Sequence, residues 1–550
     1  MTLSSGNKLQ RQLALGIALG MCAFSIHAQP VESASALNAQ AIRAHAEFLS
    51  SDLLEGRATG SRGYELAAAY VAAQFRQSGL LPLGESYLQS VPLIEASVVL
   101  PGSAAALKRD GSTLNFEFSK DYLPSANFFS ATSSLTAPLV FAGFGIDAPE
   151  LNYNDLADLD LQGRIAIILN GAPDRFNAQA RSYYGWRDTK YARLAKQGAL
   201  GVIEIDTHEQ KESPSFNSWD RAVAMSWVSE MRRVNSDEQP DEVFPELKLK
   251  FRFNTDAAAL LFGNGHTLEQ TLQAAKLGEP QGFALPGTMT LTATTGLRRV
   301  DSNNVVGMVR GSDARLQNEY VLVAAHLDQL GRGASVNGDN IYNGLQRNAV
   351  GVAMLLEMAR SIAAMPRPRR SIVFAAVTAG EKGAQGLRHL LVSAPIASRK
   401  IVAGVVLDTP LPITRTSDVL ATGADQSSIG AVLNEAAETL DLRVVNNNDT
   451  AYSLVGDSLA PLTRLDIPAI ALQGGVRARN GRIDVRSLKR EWSQTHRNQP
   501  SDDQHNLPLD AAAARELTAL NVSTVLSLAN ATQRPTWSRS SLIHRKLAQD

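Results

Sequence analysis

Near the start of the chain, Ile42, Ala46, Phe48 and Leu49 fall close to one helical face, a spacing that predicts an amphipathic helix. The stretch GRATGSRG interrupts it. A second helix is expected from about Tyr64 to Ser78, with Ala68, Val71 and Phe75 at helical spacing. His45 lies in the first helix, where a lone histidine is expected to pack or cap rather than ligate. From about Ala137 the texture changes to short continuous apolar runs, PLVFAGFGI and RIAIILNG. YARLAKQGALGVIEID reads as helix, glycine turn and strand. This β-rich texture runs to about Pro286, where PGTMTLTATTG begins to alternate.

The next part alternates strands and helices. NVVGMVRG, YVLVAAHLD, KIVAGVVLDTP and IPAIALQGG are strand patterns. RSIVFAAVTAGEKG is a strand running into a loop, and NAVGVAMLLEMARSIAAM is a helix apolar on most sides. That order predicts a mostly parallel sheet with helices on both faces. Such sheets place ligands beyond the carboxyl ends of their strands, and the polar residues at those ends are His326, Asp328, Glu381 and Asp408. The closing RPTWSRSSLIHRKLAQD reads as a surface tail.

A length of 550 residues calls for two or three domains. With 44% hydrophobic and 19% charged residues the chain is globular rather than disordered. A formal net charge of −1 argues against nucleic acid, whose phosphates demand a basic surface. Lys8 and Arg11, the apolar run LALGIALGMCAFSI and Ala28 read as a signal peptide over residues 1–28, cut before Gln29. The run is too short for a mature membrane anchor, so an exported product, periplasmic or secreted and without stable membrane insertion after signal removal, is expected. The one cysteine, Cys22, lies in that segment behind Met21, which does not suit lipidation. The mature chain would then hold neither a disulfide nor a thiolate metal site.

Several blocks, taken in order, carry a more specific signal. HAEFLSSDLLEGRATGSRGYELAAAYVAAQFRQSGLLPLG, SNNVVGMVRG, AAHLDQLG, GDNIYNG, RSIVFAAVTAGEKGAQG and QPSDD together resemble metallopeptidase family 28, the co-catalytic zinc aminopeptidases. APLVFAGFGIDAPELNYNDLADLDLQGRIAIILNG resembles the protease-associated domain that many members carry as an insertion. The resemblance implies an α/β fold with a mostly parallel central sheet, split into residues 38–136 and 287–533. It implies a protease-associated insertion over 137–286 and leaves 534–550 as the tail. In that family a carboxylate bridges two zinc ions, each of which also holds a histidine and a further carboxylate. Paired divalent ions acidify a shared water and polarise the scissile carbonyl, and a glutamate within hydrogen-bond reach takes the proton.

Carried over residue by residue, the pattern is depleted. His326 and Asp408 match metal ligands, Asp328 matches the supporting aspartate, and Glu381 keeps a metal carboxylate. Arg347, in NGLQRNAVG, stands at the bridging aspartate. Gly380, in TAGEKG, stands at the general base, and Asn498, in NQPSD, at the second histidine ligand. A catalytic zinc needs three protein ligands, so the resemblance leaves a partial or weak zinc site. It leaves no catalytic base, since Gly380 cannot transfer a proton. Arg347 is expected to pair with Asp408 and Glu381 in place of the metals. His496, two positions before Asn498, would serve as a substitute ligand only after a register shift on a strand. Restoring Asp, Glu and His at 347, 380 and 498 is the smallest change expected to revive activity. The function expected is a catalytically impaired or inactive homologue that binds a peptide or protein. The alternatives are an active metallo-exopeptidase releasing N-terminal residues through an atypical or single-metal site, and a single-metal enzyme of another reaction.

Overall fold

The computed structural model describes residues 37–206, 218–241, 244–447 and 452–547; the expected signal peptide lies outside them. Two helices open the described chain: α1 (Ala39–Leu49), capped by the Asn38 side chain, and α2 (Arg62–Gln77), capped by Ser61. Both cap side chains accept from first-turn N–H groups, the usual start of a helix. Ile42, Ala46 and Leu49 of α1, and Ala68, Val71 and Phe75 of α2, are buried. His45 rests against Tyr70, with Nδ1 2.7 Å from its hydroxyl.

The strands that build the main sheet are β1 (Leu88–Arg109), β2 (Thr132–Phe141), β3 (Ile165–Leu169), β4 (Gly201–Ile205), β5 (Leu249–Phe253), β6 (Phe283–Val309), β7 (Tyr320–His326), β8 (Ser371–Val377), β9 (Ile401–Val406), β10 (Asp418–Thr422), β11 (Arg443–Asn446) and β12 (Ala469–Gly474). Across the sheet they run β11-β10-β12-β9-β7-β8-β6-β2-β3-β4-β5, and β1 pairs alongside β6. The strands β8, β7, β9 and β12 are mutually parallel, as are β2, β3, β4 and β5. The 27-residue β6 joins the two groups and is antiparallel to both β8 and β2. Residues alternate between the faces of β7: Val321, Val323 and Ala325 join one core, Leu322 and Ala324 the other, the period-two pattern of a strand covered on both sides.

The first core is closed by α1, α2, α3 (Val350–Ala363) and α5 (Ala511–Asn530); the second takes in α4 (Gln385–Ser393) and α6 (Leu542–Leu547). The mixed α/β architecture, with a large, mostly parallel sheet, is the one expected. Its partition is less simple. The expected edge at 137 falls inside β2 and that at 286–287 inside β6. β1 and β6 pair from Leu88↔Val305 to Lys108↔Thr288, with one register shift between Thr292 and Thr294.

The expected tail is docked. Arg534 reaches Glu319 at 2.8 Å, Ser428 N–H donates to the Thr536 carbonyl at 2.9 Å, and Ile543 is fully buried. Lys546 pairs with Glu150 at 2.9 Å, and the Gln179 side chain accepts from Leu542 N–H.

Candidate functional site

Three parallel strands, β7, β8 and β9, and the turns after them deliver His326, Glu381 and Asp408, as carboxyl ends of such strands do. β7 ends on His326, and the chain then turns through Asp328, which is fully buried. The loop after β8 wraps that carboxylate, with Gly380 N–H donating to it at 2.7 Å and Glu381 N–H at 3.1 Å, and the Thr59 hydroxyl, from before α2, donates at 3.3 Å. Burial nevertheless raises the Asp328 pKa, helped by the negative Glu381 and opposed by His326 and the N–H donors. Asp328 also gives its backbone carbonyl to His326 Nδ1 at 3.1 Å. This acceptor assigns the proton to Nδ1 and turns Nε2 into the site.

His326 Nε2 lies 3.5 Å from Asp408 Oδ1 and 3.8 Å from Glu381 Oε1, buried and without a hydrogen-bond partner. Burial opposes charge on the imidazole, but Asp408, Glu381 and Asp328 outweigh it, and its pKa is raised. Arg347 enters from the turn Leu345–Ala349. The turn is pinned by Asp502, whose carboxylate accepts from Gln346 N–H at 3.1 Å, Arg347 N–H at 3.0 Å and the Trp492 indole at 3.1 Å. Burial pushes the Asp502 carboxyl up to about 6 against those donors.

The Arg347 guanidinium lies between the retained carboxylates. Its Nε is 2.5 Å from Glu381 Oε1, and its Nη1 is 3.4 Å from Asp408 Oδ1 and 3.0 Å from the Thr409 hydroxyl. The Nε–Glu381 contact is short but not aligned as a hydrogen bond, so it is an ion pair. Arg347 is 7% exposed. Burial works against its charge; Glu381 and Asp408 more than offset this, and its pKa is raised. The same pairing, with His326, holds the Asp408 carboxyl far below the usual range despite burial.

Asn498 is also buried, with Nδ2 3.5 Å from Glu381 Oε2 and Oδ1 3.5 Å from Gln329 Nε2. The fold therefore gathers His326, Asp328, Arg347, Gly380, Glu381, Asp408 and Asn498 in one place. His496 belongs to a helical turn, Trp492–His496, rather than a strand, and its Nδ1 meets the Ser501 hydroxyl at 2.9 Å.

At Gly380 a Cβ would lie 2.2 Å from His326 Cβ and 2.6 Å from its Cγ. The absent side chain lets the loop close onto the imidazole. A side chain restored at 380 therefore requires the loop or His326 to shift. Among the described residues no group of three or more His, Cys, Asp or Glu is placed to hold a metal ion. The donors that remain already face a guanidinium, and a zinc ion beside it would meet like charge. The residues present do not fit a two-zinc centre.

Residues that the sequence did not single out complete the site. Asp502 had a signal, since it closes the NQPSD block. Asp457 and Ser458 had none; they line a cavity of about 20 Å³ with His326, Arg347 and Asp408, room for about one water. Arg57, 1% exposed, braces the surrounding loops by donating to the carbonyls of Leu327 at 2.9 Å and Asn343 at 2.8 Å.

Residues 304–523 match the family model described as Peptidase family M28. Human transferrin receptor protein 2 is 25% identical over 303 residues, 50% of this chain and 33% of that protein. The chain thus spans about a third of the length of this curated relative. An aminopeptidase from Aneurinibacillus sp. strain AM-1 superposes with a TM-score of 0.53 at 17% identity, over 90% of this chain and 95% of that one. A zinc aminopeptidase from Bacillus subtilis has a TM-score of 0.44 at 16% identity, over 89% and 94% of the two chains. The likeness to the Aneurinibacillus enzyme speaks for the fold, and the sequence match reaches the part of the chain that carries most of the site: residues 304–523 carry the match to peptidase family M28.

Proposed function

We propose that this chain is an exported homologue of the metallo-aminopeptidases whose cleft does not hydrolyse peptides and serves instead to bind a peptide or protein. The observation that carries this reading is the Arg347 guanidinium, 2.5 Å from Glu381 and 3.4 Å from Asp408. Unit charges about 4 Å apart near a protein surface interact by about 4 kcal/mol, so an arginine beside these carboxylates opposes a divalent ion at the same oxygens. Gly380 supplies no base, and Asn498 supplies an amide where an imidazole ligand is implied. Export rests on the sequence of residues 1–28; among the described residues no helix is long and apolar enough to cross a membrane.

One observation favours a second reading, an exopeptidase with an atypical single-metal site. His326 Nε2 is buried and free of hydrogen bonds, facing Asp408 and Glu381. Turnover of aminoacyl-p-nitroanilides by the purified chain, with and without added zinc, separates the two. The binding reading expects none in either condition. Zinc-dependent turnover lost in His326→Ala would overturn it.

A further inference from the structure

The site groups are polar yet nearly sealed. His326, Arg347 and Asn498 are each 7% exposed. The segment 219–233 crosses the loops beside the site, touching Arg497, Gln499 and Lys382. Its helix Trp219–Ala224 is tied at the far end by the Trp219 indole, which donates to the Ser119 carbonyl at 3.1 Å. Arg221 donates to the Arg497 carbonyl, and Met225 sulfur accepts from Gln499; these two contacts flank Asn498. Trp227 lies on the hairpin Gly331–Tyr342, with its ring centroid 5.1 Å from that of Tyr342. A Cβ at Gly333 would lie 2.0 Å from that indole, so the hairpin is shaped to receive it. Lys382, next to Glu381, donates to the Ser229 carbonyl at 2.7 Å. Gln385 accepts from Arg233 N–H at 2.9 Å. The segment therefore grips the hairpin, the 497–499 loop and the 382–385 loop.

That grip is shallow. None of residues 218–230 is buried, and the first buried side chain is Met231, where the segment pairs with β1 as the strand Glu230–Arg233. Segments with few buried apolar contacts open at a small fraction of the global unfolding free energy. We infer that residues 219–229 are a strap, anchored at the strand Glu230–Arg233, that closes the cleft beside Asn498. A peptide or small solute reaches His326, Glu381 and Asp408 only after Trp227 leaves Gly333 and Arg221 leaves Arg497. The inference adds control of access to the cleft read above as a binding site. Peptidase activity would sink that reading and leave this one standing, because the test below measures access alone.

The test is thiol accessibility in the full chain, with the native cysteine removed by Cys22→Ser. Asn498→Cys places a probe thiol under the strap, and Ala353→Cys places a control thiol in the core of α3, where Ala353 is fully buried. Each is treated with iodoacetamide in the parent and in the strap variant Trp227→Gly with Arg221→Ala. The strap predicts that the probe thiol at position 498 reacts at least about tenfold faster in the variant, while the control thiol at position 353 stays unreactive. Equal rates for the probe thiol in the two backgrounds overturn it. Where the variant exposes the control thiol as well, hydrogen exchange of the unsubstituted chain decides. Amides of 219–229 exchanging well before those of β7 and β8 uphold the strap, and exchange of both sets together overturns it.

Discussion

At position 347 the sequence places a planar, permanently charged fork among carboxylates that would repel one another if left alone. The neighbours meet it on more than one side: Glu381 at Nε, Asp408 and Thr409 at Nη1. Removing one partner of a buried charge cluster leaves the others uncompensated. Arg347→Ala is therefore expected to lower stability by about 3–5 kcal/mol, read as a shift of the urea midpoint in the full chain. A midpoint that does not move would place the charge outside any energetic role. The pairing was legible in advance because Arg347, Glu381 and Asp408 each sit inside a motif block. The Gly380 contact was not legible, since it depends on how closely the loop after β8 approaches the His326 side chain. Position in a motif reports residue type and not clearance.

The elements around the site divide in the same way. Helices α1 and α2 follow from their own periodicity, and the structure moves the start of α2 only from Tyr64 to Arg62. The β1–β6 ribbon pairs residues about two hundred positions apart, such as Leu88 with Val305, and no local pattern announces such a register. The same distance hid the contact of α4 with the strap, where a further consequence can be read. His389 on α4 is buried, its Nδ1 has no hydrogen-bond partner, and burial, with the nearby positive Arg233, lowers its pKa from 6.5 to about 4. The folded chain thus resists protonation that the unfolded chain accepts. His389 contributes stability at pH above about 6.5 that is lost as pH falls toward 4. His389→Leu should flatten the decline in melting temperature across that window. A decline of the same slope in both chains would show that other groups produce it.

For the whole molecule, the 137–286 segment is tied to the rest in two ways: the long ladder through β6 and the docked helix α6. That helix links Glu150 and Gln179, in the segment, to Asp466, whose carboxylate lies 2.7 Å from His544. α6 holds three apolar residues, Leu542, Ile543 and Leu547, around a basic run of His544, Arg545 and Lys546, and all three apolar side chains meet the core; the basic run masked that pattern in the sequence. Ending the chain at residue 533 should cost roughly 2 kcal/mol, the worth of burying one isoleucine side chain, seen as a lower denaturation midpoint. An unchanged midpoint would mean that the helix rests on the surface without stabilising it.

Whether the Arg347 guanidinium keeps zinc out of the cleft is read most directly by a count of zinc. The full chain is dialysed against micromolar zinc, washed of loose metal and analysed for zinc per chain. Fewer than one bound ion is expected, with a melting temperature that chelator leaves unchanged. Two ions bound per chain, with the melting temperature falling on chelation, would contradict it.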